Sequence, residues 1–194
     1  MIKKIVLASQ SPRRKQLLEW AEVEFDIIIQ SSPEDFPAEM SVEDVPVHIA
    51  RNKALAVAAD SKYRSLADKP IILAADTVVV LDGEIIGKPH DREEAVSILT
   101  RLSGRIHHVI TGVVLLNDAH EKSFSDSTAV WFNELTQEEI EFYVDKYKPF
   151  DKAGAYAIQE WIGVVGIQRI EGDFYNVMGL PVSRVIQALK EIHQ

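Results

Sequence analysis

The stretch IILAADTVVVL, residues 71 to 81, constrains the fold of this chain more than any other. It is apolar and rich in β-branched residues, yet well short of the roughly 20 residues that a membrane-spanning helix needs. Asp82-Gly83 follows, then a second apolar segment, EII. That order reads as a long buried strand, an Asp-Gly hairpin turn and a return strand. A strand apolar along its whole length is expected to be buried on both faces. Asp76 is the anomaly in the run. A carboxylate there is costly unless it is paired or binds a metal, so it is either a functional group or a structural acid with an internal partner. In a regular strand Thr77 points to the opposite face.

The flanking segments fit such a sheet. Lys3 to Ala8 is a short β-branched run. Ser11 is a good N-cap and Pro12 suits the first helical position, with Leu17, Leu18 and Trp20 expected to supply apolar side chains for burial. FDIII, residues 25 to 29, reads as a second strand. Ser41 opens a helix predicted to run to about Asp60, with Ala50, Ala54 and Ala58 as a small apolar stripe. Asp91 caps a helix that stops at Gly104. Ile106 to Leu116 and Lys122 to Phe132 read as paired strands. Thr136 and Glu139 form a capping box for a helix through Tyr147. Residues 148 to 160 read as irregular, WIGVVGIQRIEG as strand, and Pro181 opens a final helix. The expectation is one α/β domain over residues 1–194, with a mixed sheet and flanking helices.

Composition narrows the function classes. The formal net charge is −9, which argues against a nucleic-acid backbone as partner but leaves room for a local basic pocket that takes a small polyanion. There are no cysteines, so disulfides and Cys-built zinc sites are excluded and a cytoplasmic setting is expected. MIKKIVLASQ has too short an apolar run for a signal peptide, and no membrane partner is expected.

Two arginines at the start of the first helix pose the next question. Arg13 and Arg14 lie where the helix dipole opposes cations, a cost of about 0.3–1 kcal/mol each. A strand leading through Ser9 and Ser11 into a helix aims backbone N–H groups at one spot, and an anion bound there turns the cost into a gain. The plain alternative is a pair of solvated arginines. Lys53, on an alanine-rich helix, and Lys88, after Gly87 at the end of the hairpin, are candidate cations, though a lone lysine is usually solvated. Glu34 and Asp35 are loop acids. Asp151, Lys152 and Gln159 sit in a segment of small and polar residues that a packed turn would also explain. GDFYNVMGLP mixes Gly172, Asp173, Asn176 and Gly179 without a clear pattern. His107 and His108 fall in a predicted strand, where structural histidines are the commoner outcome. A Walker loop, a His-x-x-x-His pair and a Gly-x-Ser-x-Gly elbow are all absent.

Taken together, LASQSPRRKQLL, SSPEDF, ARNKA, AADTVV, GKP, LSGRIHHVITGV, DKAGAYAIQ and GDFYNVMGLPV resemble the Maf family of nucleoside triphosphate pyrophosphatases, in the family's order and across nearly the whole chain. The resemblance implies two lobes around a central cleft, a fold related to the inosine triphosphate pyrophosphatases. It implies cleavage of a nucleoside triphosphate to the monophosphate and pyrophosphate with a divalent cation, Mg²⁺ or Mn²⁺. On the family pattern Asp76 matches the proton acceptor. Arg13, Thr77 and Gln159 match positions that set substrate choice, and Ser9, Arg14, Glu34, Lys53 and Lys88 match polar positions of the cleft. Pro33 stands where the family more often has an acid; Glu34 remains. The AYAIQ ending resembles the branch acting on dTTP and UTP rather than the branch acting on 7-methyl-GTP. Modified pyrimidine nucleotides form a wider substrate class, and a homodimer is expected by resemblance alone.

The expected chemistry follows. Arg13, Arg14, Lys53 and Lys88 neutralise a triphosphate, Glu34 and Asp76 hold the metal, and Asp76 orients or deprotonates a water that attacks the α-phosphorus. Gln159 offers a donor and an acceptor to the O4/N3–H edge of uracil or thymine. Two other classes stay open at this point. One is a nucleotide-binding regulator of septum formation with incidental hydrolysis, since family members are associated with cell division. The other is a nucleotidyltransferase, although ASQSPRR lacks that class's glycine-rich start.

Overall fold

A computed structural model describes residues 2–118 and 120–192. Seven strands form one sheet: β1 (Ile5–Leu7), β2 (Phe25–Ile27), β3 (Ile72–Leu81), β4 (Glu84–Ile86), β5 (Ile106–Leu116), β6 (Glu121–Phe132) and β7 (Ile167–Glu171). Their order is β2-β1-β3-β5-β6-β7, with β4 paired to β3. β1 runs parallel to β2 and β3, whereas β3–β4 and β6–β7 are antiparallel. The sheet is therefore mixed. The helices are α1 (Pro12–Trp20), α2 (Val45–Ala59), α3 (Ser61–Arg64), α4 (Arg92–Leu102), α5 (Gln137–Tyr147), α6 (Trp161–Val165), α7 (Phe174–Met178) and α8 (Val182–Ile192). None among the described residues is long and apolar enough to cross a membrane.

The long strand and its hairpin form as read. β3 is buried along its length except at Asp76 and Thr77, which are both partly exposed. Asp82 (φ 53°) and Gly83 (φ 80°) make the turn, the positive-φ pair that matches a hairpin's twist. β1 pairs with β3 as far as Leu73, and β4 pairs with β3 from Val79. Asp76 and Thr77 lie between these two ladders.

The chain divides into two compact units. The first comprises residues 1–76, 111–126 and 179–194. Its core packs Val6, Ala8, Ile28, Ile72, Ala74 and Val114 against Ala50, Ala54 and Val57 of α2. Leu17 and Leu18 of α1 are buried as expected, whereas Trp20, expected with them, is exposed at the end of that helix. The alanine stripe lets the α2 backbone come close, and Gly112 of β5 completes the approach. A Cβ there would lie 2.2 Å from the Val47 nitrogen. α2 begins at Val45, not at the predicted Ser41. The Ser41 hydroxyl donates to Asp44 Oδ2 at 2.8 Å and accepts from the Asp44 nitrogen at 3.3 Å. Ser41 thus closes a turn ahead of the helix, and Pro46, which has no N–H to donate, falls in the first helical turn.

The second unit comprises residues 77–110 and 127–178. Asp91 caps α4 by accepting from the Glu94 nitrogen, and Thr136 with Glu139 forms the expected capping box on α5. Arg92 binds both oxygens of Asp145, at 2.6 and 2.9 Å. Residues 161–165 are helix α6 rather than the predicted strand, and β7 starts only at Ile167. The β-branched residues favour a strand, but tertiary packing decides. A Cβ on Gly163 would lie 1.7 Å from the Ile158 carbonyl oxygen, so the glycine lets the preceding turn fold directly onto this helical one.

Candidate active site

In the first unit the strand β1 delivers the chain into Ser9–Ser11 and the N-terminus of α1. Ser11 caps that helix, its hydroxyl accepting from the Arg14 nitrogen at 3.4 Å. The Ser9 hydroxyl accepts from the Ser11 nitrogen at 3.2 Å. Arg14 is not a solvated arginine: it is 8% exposed. Its Nε donates to the Gly179 carbonyl at 2.8 Å and its Nη1 to Ser9 Oγ at 3.2 Å. Burial lowers the Arg14 pKa, with Arg13 adding to the effect, while the charges of Asp76 and Glu34 oppose it. A buried guanidinium, a second arginine and two serines thus gather at one helix start, where an anion is favoured.

The second cluster of this unit is centred on Lys53 of α2. Its Nζ lies 2.7 Å from Asp76 Oδ1 and 2.9 Å from Glu34 Oε1. Asp76, anomalous in its apolar run, therefore has an internal cation as partner. Lys53 and Asp76 side chains are 20% and 17% exposed, and Glu34 is 57% exposed. Two carboxylates, one from the loop before α2 and one from β3, converge on a single ammonium. They present hard oxygen donors to one point, as Mg²⁺ or Mn²⁺ requires, since Mg²⁺ takes one or two carboxylates and completes its shell with phosphate and water. No group of three or more His, Asp or Glu that could hold a metal occurs among the described residues. The fit is therefore to a cation shared with a ligand, not to an all-protein cage.

The second unit holds Thr77, Lys88 and Gln159. Lys88 is exposed and follows Gly87, whose carbonyl accepts from the Gly154 nitrogen at 3.1 Å. Gln159 is exposed at the tip of a turn closed by a hydrogen bond from the Glu160 nitrogen to the Ala157 carbonyl, 3.1 Å. Lys152 is nearly buried, 2.9 Å from Asp151 Oδ1 and 3.7 Å from Glu160 Oε1. The Asp173 region proves structural: Asn176 Nδ2 donates to the Val109 carbonyl and to Thr128 Oγ1, each at 3.0 Å. His107 is structural as well. Its Nε2 lies 2.8 Å from the Tyr156 hydroxyl, and its ring packs edge-to-face with both Phe132 and Tyr156, which also touch each other. Burial pushes its pKa down to about 3. Sequence reading missed Tyr143 and Glu160, which hold the Gln159 turn. No signal in the chain joins a helix-interior tyrosine to a loop glutamate, because their contact is made only by folding.

Residues 4–192 match the Maf-like protein family. The chain is 50% identical to the dTTP/UTP pyrophosphatase of Porphyromonas gingivalis, covering 97% of this chain and 94% of that protein. It is 47% identical to the protein of the same name from Cytophaga hutchinsonii (97% and 84% covered). The one from Bacillus velezensis is 44% identical (100% and 98% covered). Among solved structures the Staphylococcus aureus Ham1 protein matches with a TM-score of 0.52 at 18% identity, covering 99% of this chain and all of that one. That likeness concerns the fold alone. With a family match spanning nearly its whole length, the chain belongs to the Maf-like protein family.

Proposed function

We propose that this protein is a nucleoside triphosphate pyrophosphatase acting on dTTP and UTP, releasing the nucleoside monophosphate and pyrophosphate. The observation that carries the reading is the arrangement in the first unit. A buried Arg14 bound to Ser9 lies close enough to feel the charges of Asp76 and Glu34, which share Lys53. That grouping supports a reading in which the cations take phosphate and the carboxylate activates water. The names of the relatives at 43–50% identity support the substrate class.

Each side chain has a distinct task. Arg13 and Arg14 bind phosphate oxygens, which their forked N–H donors fit. Lys53 carries charge to the same anion, and Lys88 is a further phosphate cation. Glu34 and Asp76 would hold the divalent cation. When bound, that ion supplies charge neutralisation at the phosphates and a lowered pKa for the attacking water. Asp76 orients the water and accepts its proton. The water oxygen bonds to the α-phosphorus, the bond from that phosphorus to the α–β bridging oxygen breaks, and pyrophosphate leaves with the electron pair. Thr77 and Gln159 set base choice, with the carboxamide matching one donor and one acceptor of uracil or thymine.

The test is a panel of nucleotides with Mg²⁺ or Mn²⁺ and resolved products. UMP and pyrophosphate from UTP support the reading. UDP and orthophosphate as first products refute cleavage at the α-phosphorus.

A further inference from the structure

We infer that Tyr143 is a positioning residue for base selection, clamping both ends of the turn that presents Gln159. The inference rests on the proposed base-reading role of Gln159. Tyr143 lies on α5, is fully buried, and stacks on Tyr147 with ring centroids 5.0 Å apart and planes 22° apart. Its ring is therefore fixed in place, and the hydroxyl with it. That hydroxyl accepts from the Ala157 nitrogen at 3.1 Å and donates to Glu160 Oε2. Ala157 and Glu160 are the first and last residues of the turn, itself closed by the bond from the Glu160 nitrogen to the Ala157 carbonyl. One phenol thus fastens both ends of a four-residue turn with Gln159 exposed inside it.

The rest of the turn is held just as closely. Glu160 Oε1 faces Lys152 Nζ at 3.7 Å, so both carboxylate oxygens are engaged. The Glu160 carbonyl accepts from the Gly163 nitrogen at 3.0 Å. Gly163 leaves no room for a Cβ beside the Ile158 carbonyl. Only the Gln159 side chain is left to face outward.

Such rigidity matters for a carboxamide more than for a charged group. Uracil presents an acceptor at O4 and a donor at N3–H, while cytosine presents a donor at N4 and an acceptor at N3. A glutamine turned over exchanges its oxygen and its NH₂, and then suits cytosine. That rotation belongs to the side chain itself; what the clamped turn supplies is a fixed distance and angle at which the carboxamide meets the base edge, and a looser turn admits the other pairing as well. Loosening the turn costs selectivity before it costs chemistry, because neither Tyr143 nor Glu160 belongs to the phosphate and water machinery.

The experiment compares kcat/KM for UTP and CTP in the full-length protein carrying Tyr143→Phe, Glu160→Ala, Glu160→Gln or Gln159→Ala. Tyr143→Phe and Glu160→Ala are expected to lower the UTP:CTP ratio by about three- to tenfold, mainly through KM for UTP. Glu160→Gln, still an acceptor for the phenol, retains most of it. If Tyr143→Phe does not fold, Glu160→Ala gives the same reading. A wild-type ratio in the folded variants, even with a lowered Tm, overturns the positioning role when Gln159→Ala does change the ratio. An unchanged ratio in Gln159→Ala overturns the base-reading role itself, and the inference with it.

Discussion

Replacing Lys53 by methionine keeps the length of the side chain and removes the ammonium that Glu34 and Asp76 share. The cost can be bracketed from the geometry. Exposed ion pairs contribute about 0.2–1 kcal/mol, and breaking a buried pair costs about 3–5 kcal/mol. With the Lys53 and Asp76 side chains each about one-fifth exposed, the loss falls between, at about 2 kcal/mol. For a chain of this size that lowers Tm by roughly 4–8 °C. The second consequence is more diagnostic. Without the ammonium, two carboxylates face each other across the space it held, and a divalent cation relieves that repulsion. Thermal unfolding of wild type and Lys53→Met, each with EDTA and with Mg²⁺ or Mn²⁺ and no nucleotide, reads both effects. The variant is expected to start lower and to gain more from the cation than wild type does. Equal cation shifts in the two proteins, or a variant that melts like wild type in EDTA, refute the shared role of Glu34 and Asp76.

Other outcomes follow from the same structure. Pyrophosphate is expected to raise the wild-type Tm, because a ligand that binds only the folded state stabilises it by RT ln(1 + [L]/Kd). Arg14→Lys keeps the charge but cannot bond Ser9 and Gly179 together, and should lose most of that shift in the same melting assay. His107 is buried and neutral, with its pKa pushed down to about 3 from 6.5. The unfolded chain binds that proton first, so stability falls as pH drops from about 6.5 towards 3, by up to roughly 5 kcal/mol. His107→Gln keeps a hydrogen-bonding partner for Tyr156 and should flatten that limb in urea unfolding at stepped pH. Gly163→Ala places a methyl group against the Ile158 carbonyl and is expected to destabilise by at least 3 kcal/mol, read as a fallen Tm or loss of folded protein.

Much of the architecture was legible because local rules and tertiary context agree. The β3–β4 hairpin follows from a β-branched run and Asp82-Gly83, and the helix starts at Ser11, Asp91 and Thr136 follow from capping chemistry. The errors came where packing overrides propensity. Residues 161–165 look like strand, yet the close approach at Gly163 bends them into a helical turn. Ser41 resembles an N-cap but closes a turn before α2. The site was legible in parts. An Asp in a buried run and two arginines at a helix start are each anomalous in one dimension. The pairing of Asp76 with Lys53 depends on how β3 packs against the alanine face of α2, which no single residue reveals. Tyr143 had no local anomaly at all, since a tyrosine on an amphipathic helix is ordinary until its hydroxyl is placed.

In the proposed division of labour, phosphate binds at Ser9, Arg13 and Arg14 while water is activated at Asp76. That division is tested most directly by product analysis of UTP turnover in wild type and Asp76→Asn, together with the pyrophosphate-induced Tm shift of each. Wild type should release UMP and pyrophosphate. Asp76→Asn should lose turnover by at least about a hundredfold, in line with the loss of a general base, and still be stabilised by pyrophosphate. Undiminished release of pyrophosphate by Asp76→Asn, or orthophosphate as the first product of wild type, contradicts that division of labour.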